Sequence, residues 1–136
     1  MIEMELNKIV IDEKRHDQLI VLKEKNGERL LPIVIGLHEA SAIKLKLSGF
    51  TPPRPLTHDL LHSTIEHLDA SIEKMVIDKL EDNTFHAKIF LKTSSGTVKE
   101  IDARPSDSIA LAVRAHAPIF VEEDIIQRAQ VFNQGA

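Results

Sequence analysis

A proline-rich segment at residues 51–61, TPPRPLTHDLL, constrains the fold more than any other part of the chain. Each proline fixes its own φ and keeps the preceding residue out of the helical region, so the path must be extended or turning. An apolar helical pattern follows, with Thr57 predicted as its N-cap and Asp59 in its first turn, where a carboxylate complements the helix dipole. The stripe expected to be buried consists of Leu60, Leu61, Ile65 and Leu68.

A shorter version of this arrangement occurs at residues 101–109, IDARPSDSI. Both segments read Arg-Pro, then a hydroxyl residue, then an aspartate, then an apolar run, and Ser106 is predicted to cap the second helix. We predict that the two Arg-Pro corners, at Arg54 and Arg104, meet in space and form the functional site.

The remaining pattern predicts strands in hairpins, interrupted by helices. Asn26-Gly27 is a strong hairpin signal, because both residues tolerate positive φ, and Pro32 predicts that at least one side of the returning strand is an edge or a bulge. The fold class predicted is α+β, a single compact domain with a mixed or antiparallel sheet and three to four helices. Residues 1–127 would form the domain, and residues 128–136 a short C-terminal tail with a loose end. The last helix is expected at residues 122–130.

Composition excludes several classes of function. The chain of 136 residues has no cysteine, which removes disulfides, thiolate zinc sites and cysteine nucleophiles. No run of 18 apolar residues or signal-peptide pattern is present, so no membrane is involved and a cytoplasmic location is expected. The net charge is −4 and the basic residues are scattered, so nucleic acid would be handled at a local site or across an oligomer. We expect a homodimer, because a small domain with few basic residues could form a wider groove only by pairing with a second copy.

The acids Glu39, Asp59 and Asp107 are candidate catalytic residues and candidate ligands for Mg²⁺ or Mn²⁺, which prefer oxygen ligands. The alternative is structural, since all three fall at predicted helix starts, where a carboxylate satisfies free amides. Asp102 is a further nearby acid. The site's proton carrier would be His58, because histidine titrates near neutral pH.

Arg54 and Arg104 are the candidate phosphate-binding residues, with the hydroxyls of Thr57 and Ser106 beside them, because guanidinium matches phosphate geometry. The alternative is that these arginines form salt bridges with Asp59, Asp107 or Glu39 and brace the corners without a ligand. A different hypothesis is a zinc site. His58 and His62 are four residues apart on one helical face, and Glu66 is the local third ligand. Its alternative makes His62 a surface residue.

Four segments together resemble one known family. They are LPIVIGLHEASAI, PRPLTHDLL, DARPSDSIALAVR and APIFVEEDI, in that order, and they resemble the bifunctional nuclease domain family, also known as domain of unknown function 151. The resemblance implies a compact α+β domain with nuclease activity on RNA and DNA. The positions that match the family pattern are Glu39, Arg54, Pro55, Thr57, His58, Asp59, Asp102, Arg104, Pro105, Ser106 and Asp107. His62 matches no part of that pattern.

The residues and the resemblance together predict a nuclease-like phosphodiester hydrolase acting on RNA or DNA, aided by a divalent cation. The alternative is a non-catalytic, oligomeric binding or regulatory module whose polar motifs are structural. The acidic net charge favours that alternative.

Overall fold

A computed structural model of the chain describes residues 1–15 and 17–134, and the side chains of those up to residue 130. Within this part of the chain, seven strands and four helices follow one another. They are β1 (Ile2–Val10), β2 (Asp17–Glu24), β3 (Leu30–Gly36), α1 (Leu37–Leu47), α2 (Thr57–His67), β4 (Ser71–Glu81), β5 (Thr84–Lys92), β6 (Val98–Ala103), α3 (Pro105–Ala115), β7 (Ile119–Val121) and α4 (Glu123–Gln134).

The strands form one mixed sheet in the order β3-β2-β1-β7-β4-β5-β6, which confirms the predicted α+β class. Two groups of antiparallel hairpin strands, β1 to β3 and β4 to β6, are joined by the short strand β7. Ile119 in β7 pairs with Met4 in antiparallel β1 and with Met75 in parallel β4. The Asn26-Gly27 hairpin is confirmed, and Pro32 lies on the edge strand β3, where a missing N–H is tolerated.

The core lies between the sheet and the helices α1, α3 and α4. The central helix is α3, which packs against α1, α2, β4 and β5. Its residues Ile109, Ala110 and Ala112 are buried together with Ile43 of α1 and Ile125 of α4. Because α3 begins directly after Arg104, the core fixes the position of the second Arg-Pro corner.

The structure corrects the expected burial of α2. All eleven residues of α2 are described and none is buried. Leu60, Leu61 and Leu68 are exposed, whereas Ile65 packs against a small apolar cluster of Ile72, Ile89 and Leu111. The prediction of a buried leucine stripe was therefore wrong. The periodicity indicated an amphipathic helix, but it did not indicate which face the helix turns inward.

The C-terminal helix α4 extends to Gln134, beyond the predicted end at Gln130. The loose end predicted for the tail falls on Gly135 and Ala136, which lie outside the described residues. None of the helices in the described ranges is long and apolar enough to cross a membrane.

Candidate functional site

Residues of both predicted corners line one cavity of about 970 Å³, although Arg54 itself does not. Its walls come from the start of α1, the start of α2, the end of β6 and the start of α3. The polar side chains that line it are His38, Glu39, Ser41, Thr57, His58, Asp102, Arg104 and Asp107, with Leu45, Leu56, Leu61 and Ile101 among the apolar ones.

Four of these side chains form a continuous chain of polar contacts. His58 Nε2 lies 2.9 Å from Asp107 Oδ1. Arg104 donates from Nε to Asp107 Oδ2 at 2.9 Å and from Nη2 to Glu39 Oε1 at 2.8 Å. Residues from α1, α2 and α3 are thus connected through one guanidinium, and the two corners are joined by the contact between His58 and Asp107.

The start of α3 places Asp107 in this cluster. Arg104 is the N-cap in an extended conformation and Pro105 is the first helical residue, a position where its missing N–H costs nothing. Asp107 is therefore in the first turn, three residues after Arg104. Ser106, predicted as the cap, is instead buried inside the first turn and does not line the cavity with Asp107.

The start of α2 has the same form. Leu56 is the N-cap, so Thr57 is the first helical residue and not the cap that was predicted. Asp59 occupies the third position and accepts a hydrogen bond from the Leu56 N–H at 3.0 Å, which satisfies one of the free amides at the helix start. Thr57 lines the cavity but forms no hydrogen bond through its hydroxyl with any described residue.

Arg54 does not enter the cavity. It is exposed and makes no hydrogen bond or ion pair with the described residues. The physical reason is spacing: Asp107 follows Arg104 by three positions, but Asp59 follows Arg54 by five. The two extra residues move Arg54 away from the helix start, so the resemblance between the two motifs does not extend to the arginine.

Asp59 belongs to a second ion pair. Arg114, whose side chain is only 3 % exposed, donates from Nε to Asp59 Oδ1 at 2.7 Å. It also donates to the Ala110 carbonyl at 2.8 Å and to the Ala42 carbonyl at 3.5 Å, so it ties α2 to α3 and α1. The sequence reasoning missed this residue. The available signal was a lone arginine inside the apolar run SIALAVRA, since a buried charge requires a partner.

The predicted metal ligands are therefore not brought together. Glu39 and Asp107 share Arg104, while Asp59 is held by Arg114. The described residues contain no group of three or more His, Asp or Glu side chains arranged to hold a metal ion. That absence also counts against the predicted zinc site at His58 and His62. His58 contacts Asp107, whereas His62 Nε2 lies 3.6 Å from Glu66 Oε1. Each histidine has a carboxylate partner of its own.

The electrostatics of both aspartates favour the charged form. Partial burial raises the pKa of Asp107, but hydrogen bonds from Arg104 and His58 outweigh it and hold that pKa below the usual value. Burial likewise raises the pKa of Asp59, while the Leu56 amide and Arg114 lower it further than burial raises it. The hydrogen bond with Asp107, followed by the interaction with Glu39, raises the pKa of Arg104.

These shifts predict a loss of stability in acid. The folded pKa values of Asp59 and Asp107 lie below the unfolded value of about 3.9. The unfolded chain therefore binds more protons in acid than the folded chain, and the free energy of unfolding decreases as the pH is lowered. We expect the free energy of unfolding to decrease from about pH 4 downward, and the decrease to be shallower in Asp59→Asn. Urea unfolding at several pH values measures both slopes, and equal slopes in the two proteins would contradict the assignment for Asp59.

Fold and site define a class: a small α+β domain in which the starts of three helices and the end of a strand surround a polar cavity that contains a histidine–aspartate pair. Comparison with known families gives a match to the bifunctional nuclease domain over residues 20–134. The match covers most of the chain, so the chain belongs to the bifunctional nuclease domain family, as its motifs predicted.

Individual relatives differ in distance and length. An uncharacterized protein of Mycobacterium tuberculosis strain H37Rv is 40 % identical over 121 residues, covering 89 % of this chain and 71 % of the relative. Bifunctional nuclease 2 of Oryza sativa subsp. japonica is 27 % identical over 118 residues, covering 85 % of this chain and 36 % of the relative. Bifunctional nuclease 1 of the same plant is 22 % identical over 116 residues. The chain spans about a third of the rice proteins' length.

Proposed function

We propose that this protein is a nuclease-like phosphodiester hydrolase that acts on RNA or DNA at the cavity between α1, α2 and α3. The observation that carries the proposal is the contact between His58 and Asp107, which sit on different helices and meet inside a polar cavity. Membership of the family and the name of the rice relatives support the choice of substrate class.

The histidine has the geometry of a proton acceptor held by a carboxylate. Asp107 is ionised at neutral pH because its pKa is lowered, so it can only accept, and His58 must carry its proton on Nε2. The other ring nitrogen, Nδ1, makes no hydrogen bond with any described residue, so in the tautomer with the proton on Nε2 it carries the lone pair that can accept a proton. In the proposed reaction Nδ1 takes a proton from the water whose oxygen bonds to phosphorus, and Asp107 stabilises the imidazolium that results. The P–O bond to the departing sugar oxygen breaks in the same displacement, and that oxygen takes up a proton from the imidazolium or from solvent.

Arg104 is the proposed phosphate ligand. Its side chain is 66 % exposed, and its two hydrogen bonds use Nε and Nη2, which leaves Nη1 for a phosphate oxygen. The lining contains three carboxylates, from Glu39, Asp102 and Asp107, against one guanidinium. Because this balance is acidic, the proposal includes a divalent cation, Mg²⁺ or Mn²⁺, which would be held jointly with the substrate phosphate, since the described side chains form no metal site by themselves.

The test is hydrolysis of a fluorescent single-stranded RNA and a single-stranded DNA of the same sequence by the purified protein. Each substrate is assayed with Mg²⁺, with Mn²⁺ and with EDTA. We expect cleavage of at least one substrate, faster with one of the cations than with EDTA. Two results would contradict the proposal: nuclease activity that elutes in other gel-filtration fractions than the protein, or no cleavage of either substrate under any of these conditions.

One observation favours a second candidate, a non-catalytic binding or regulatory module. Every carboxylate in the cluster has an arginine or histidine partner, which is the arrangement expected of residues that brace helix starts. This candidate predicts that Arg104→Gln lowers thermal stability and leaves phosphate and oligonucleotide affinity unchanged. The hydrolase predicts the reverse: weaker oligonucleotide binding with a small change in stability, because an ion pair this exposed contributes little.

A further inference from the structure

A second cavity adjoins the proposed catalytic cavity at Arg104, the residue that lines both. Its volume is about 410 Å³, which lies in the range of ligand-binding pockets. Its walls come from the edge strand β3, the turn between β4 and β5, and the start of α3. This cavity is here called the β3 cleft, and its lining includes Asp17, Val34, Asn83, Phe85, Arg104 and Ser106.

The Ser106 hydroxyl is a polar group without a partner in this cleft. Ser106 is only 6 % exposed, and its side chain makes no hydrogen bond with any described residue. The hydroxyl of Ser108, two residues further along α3, instead donates to the Arg104 carbonyl at 2.9 Å. Among the described residues no fully enclosed side-chain oxygen or nitrogen lacks a partner, so the Ser106 hydroxyl must reach the surface of the cleft. Buried hydroxyls normally have a partner, and its lack here indicates a polar ligand.

The first turn of α3 adds main-chain donors beside this hydroxyl. Pro105 has no N–H, and the N–H groups of Ser106 and Asp107 donate to no described residue. The N–H of Ser108 is the first in the helix to find an acceptor, the Arg104 carbonyl at 3.0 Å. Free amides and the helix dipole both favour an anion at this end of the helix. A hydroxyl, two amides and a guanidinium together match an anion with several oxygens, such as a phosphate.

The charge at the α3 end of the cleft also suits a phosphate. Arg104 keeps its Nη1 group without a hydrogen bond to any described residue, because its ion pairs use Nε and Nη2. The acidic side chain on the cleft wall is Asp17, which is exposed at the start of β2, so solvent and salt weaken its repulsion of an anion.

The rest of the cleft is suited to a flat ring. Val34 on β3 is 62 % exposed, and half-buried Phe85 lies at the start of β5. Asn83 precedes it in a turn, and its side-chain amide makes no hydrogen bond with any described residue. Aromatic side chains stack on the bases of single strands, and an amide can both donate to a base edge and accept from it. The same three residues line an adjoining cavity of about 400 Å³, which extends the space for a base.

We propose that the β3 cleft binds one nucleotide of a nucleic acid strand, with its phosphate at Ser106 and the first-turn amides of α3 and its base against Phe85. Because Arg104 lines both cavities, the strand crosses Arg104 and places the next phosphate beside His58. The choice of a strand over a free nucleotide rests on the proposed function, whereas binding in the cleft is measured without hydrolysis.

An NMR titration of ¹⁵N-labelled protein in EDTA tests this assignment with inorganic phosphate, adenosine 5′-monophosphate and single-stranded triadenylate. We expect phosphate to shift the amide signal of Ser106, and the mononucleotide to shift those of Asn83 and Phe85 as well. Triadenylate should bind more tightly than the mononucleotide and also shift the His58 amide, because it reaches both cavities. Tighter binding of the mononucleotide than of triadenylate would assign the cleft to a free nucleotide and overturn the proposal.

Two variants separate the phosphate contact from the base contact. Ser106→Ala should weaken mononucleotide binding about tenfold, because a hydrogen bond to a charged phosphate oxygen is lost. Phe85→Leu should weaken it several-fold and leave the affinity for inorganic phosphate unchanged, because the ring stacks only on a base. The matched control is Ser63→Ala on α2, whose hydroxyl lies 3.3 Å from His67 Nδ1, and we expect unchanged affinity. Circular dichroism checks that all three variants are folded.

The proposal is overturned if neither phosphate nor the mononucleotide shifts Ser106, or if folded Ser106→Ala binds the mononucleotide as tightly as the natural protein does. These results are distinct from a failure of the proposed hydrolase. Nucleotide binding in the cleft without cleavage of RNA or DNA would refute the hydrolase and support the cleft, whereas cleavage with an empty cleft would refute the cleft alone.

Discussion

Replacing His58 by alanine is expected to lower the rate of phosphodiester hydrolysis about 10²–10⁴-fold, the range in which a positioned general base contributes. The side chain is 13 % exposed and its bound ring nitrogen lies 2.9 Å from Asp107, so the ring is held in one place for proton transfer. Asp107→Asn should lower the rate by about 10²–10⁴-fold as well, because the amide has no charge to stabilise the imidazolium. Initial rates on the cleaved oligonucleotide, at saturating and at low substrate, separate kcat from KM.

His62→Ala is the matched control for this prediction. His62 lies one turn further along α2 and faces Glu66 instead of Asp107. We expect its activity to equal that of the natural protein within about twofold. Equal losses in His58→Ala and His62→Ala would indicate a general effect on α2, and full activity in His58→Ala would remove the proton role from this residue.

The second large effect is expected at Arg114, in stability. Arg114→Met removes a buried guanidinium together with its bonds to Asp59 and to two main-chain carbonyls. Removing one partner of a buried ion pair lowers the free energy of unfolding by about 3–5 kcal/mol. We expect a loss at the lower end of this range, because the Asp59 side chain is 29 % exposed. For a domain of this size that loss lowers Tm by about 10 °C. Urea unfolding at pH 7 measures it.

Two further variants separate this ion pair from a general effect of losing an arginine. Arg128 donates to the Leu80 carbonyl at an exposed position, so Arg128→Met should cost less than about 1 kcal/mol. Asp59→Asn combined with Arg114→Met should recover part of the loss, because no unpaired carboxylate remains. A cost below about 1 kcal/mol for Arg114→Met alone would contradict the role given to Arg114 in holding α2.

Local sequence patterns predicted much of the fold, whereas the pairing of strands that are distant in sequence could not be predicted from them. Asn26-Gly27 and Pro32 identified a hairpin and its edge strand, because turn and edge preferences are properties of a few neighbouring residues. The position of β7 between β1 and β4 was not predictable. That strand has three residues, and its partners Met4 and Met75 are far from it in sequence.

The site was predictable in location and less so in its contacts. Two helix starts after Arg-Pro corners indicated where His58 and Asp107 would lie, and the structure brings them together. The position of Arg54 outside the cavity lining was not predicted, and its spacing to the aspartate differs by two residues from that of Arg104. The pairing of Asp59 with Arg114 depends on how α2 crosses α3, and a one-dimensional pattern contains no such information.

A double-mutant cycle on His58 and Asp107 tests most directly the claim that the two corners form one functional unit. Hydrolysis rates are compared for the natural protein, His58→Ala, Asp107→Ala and the variant with both changes. Residues that act as a unit are non-additive, so we predict that the double variant loses no more activity than His58→Ala alone. The claim would be contradicted if the two losses multiplied, that is, if the fold-loss in rate of the double variant equalled the product of the fold-losses of His58→Ala and Asp107→Ala.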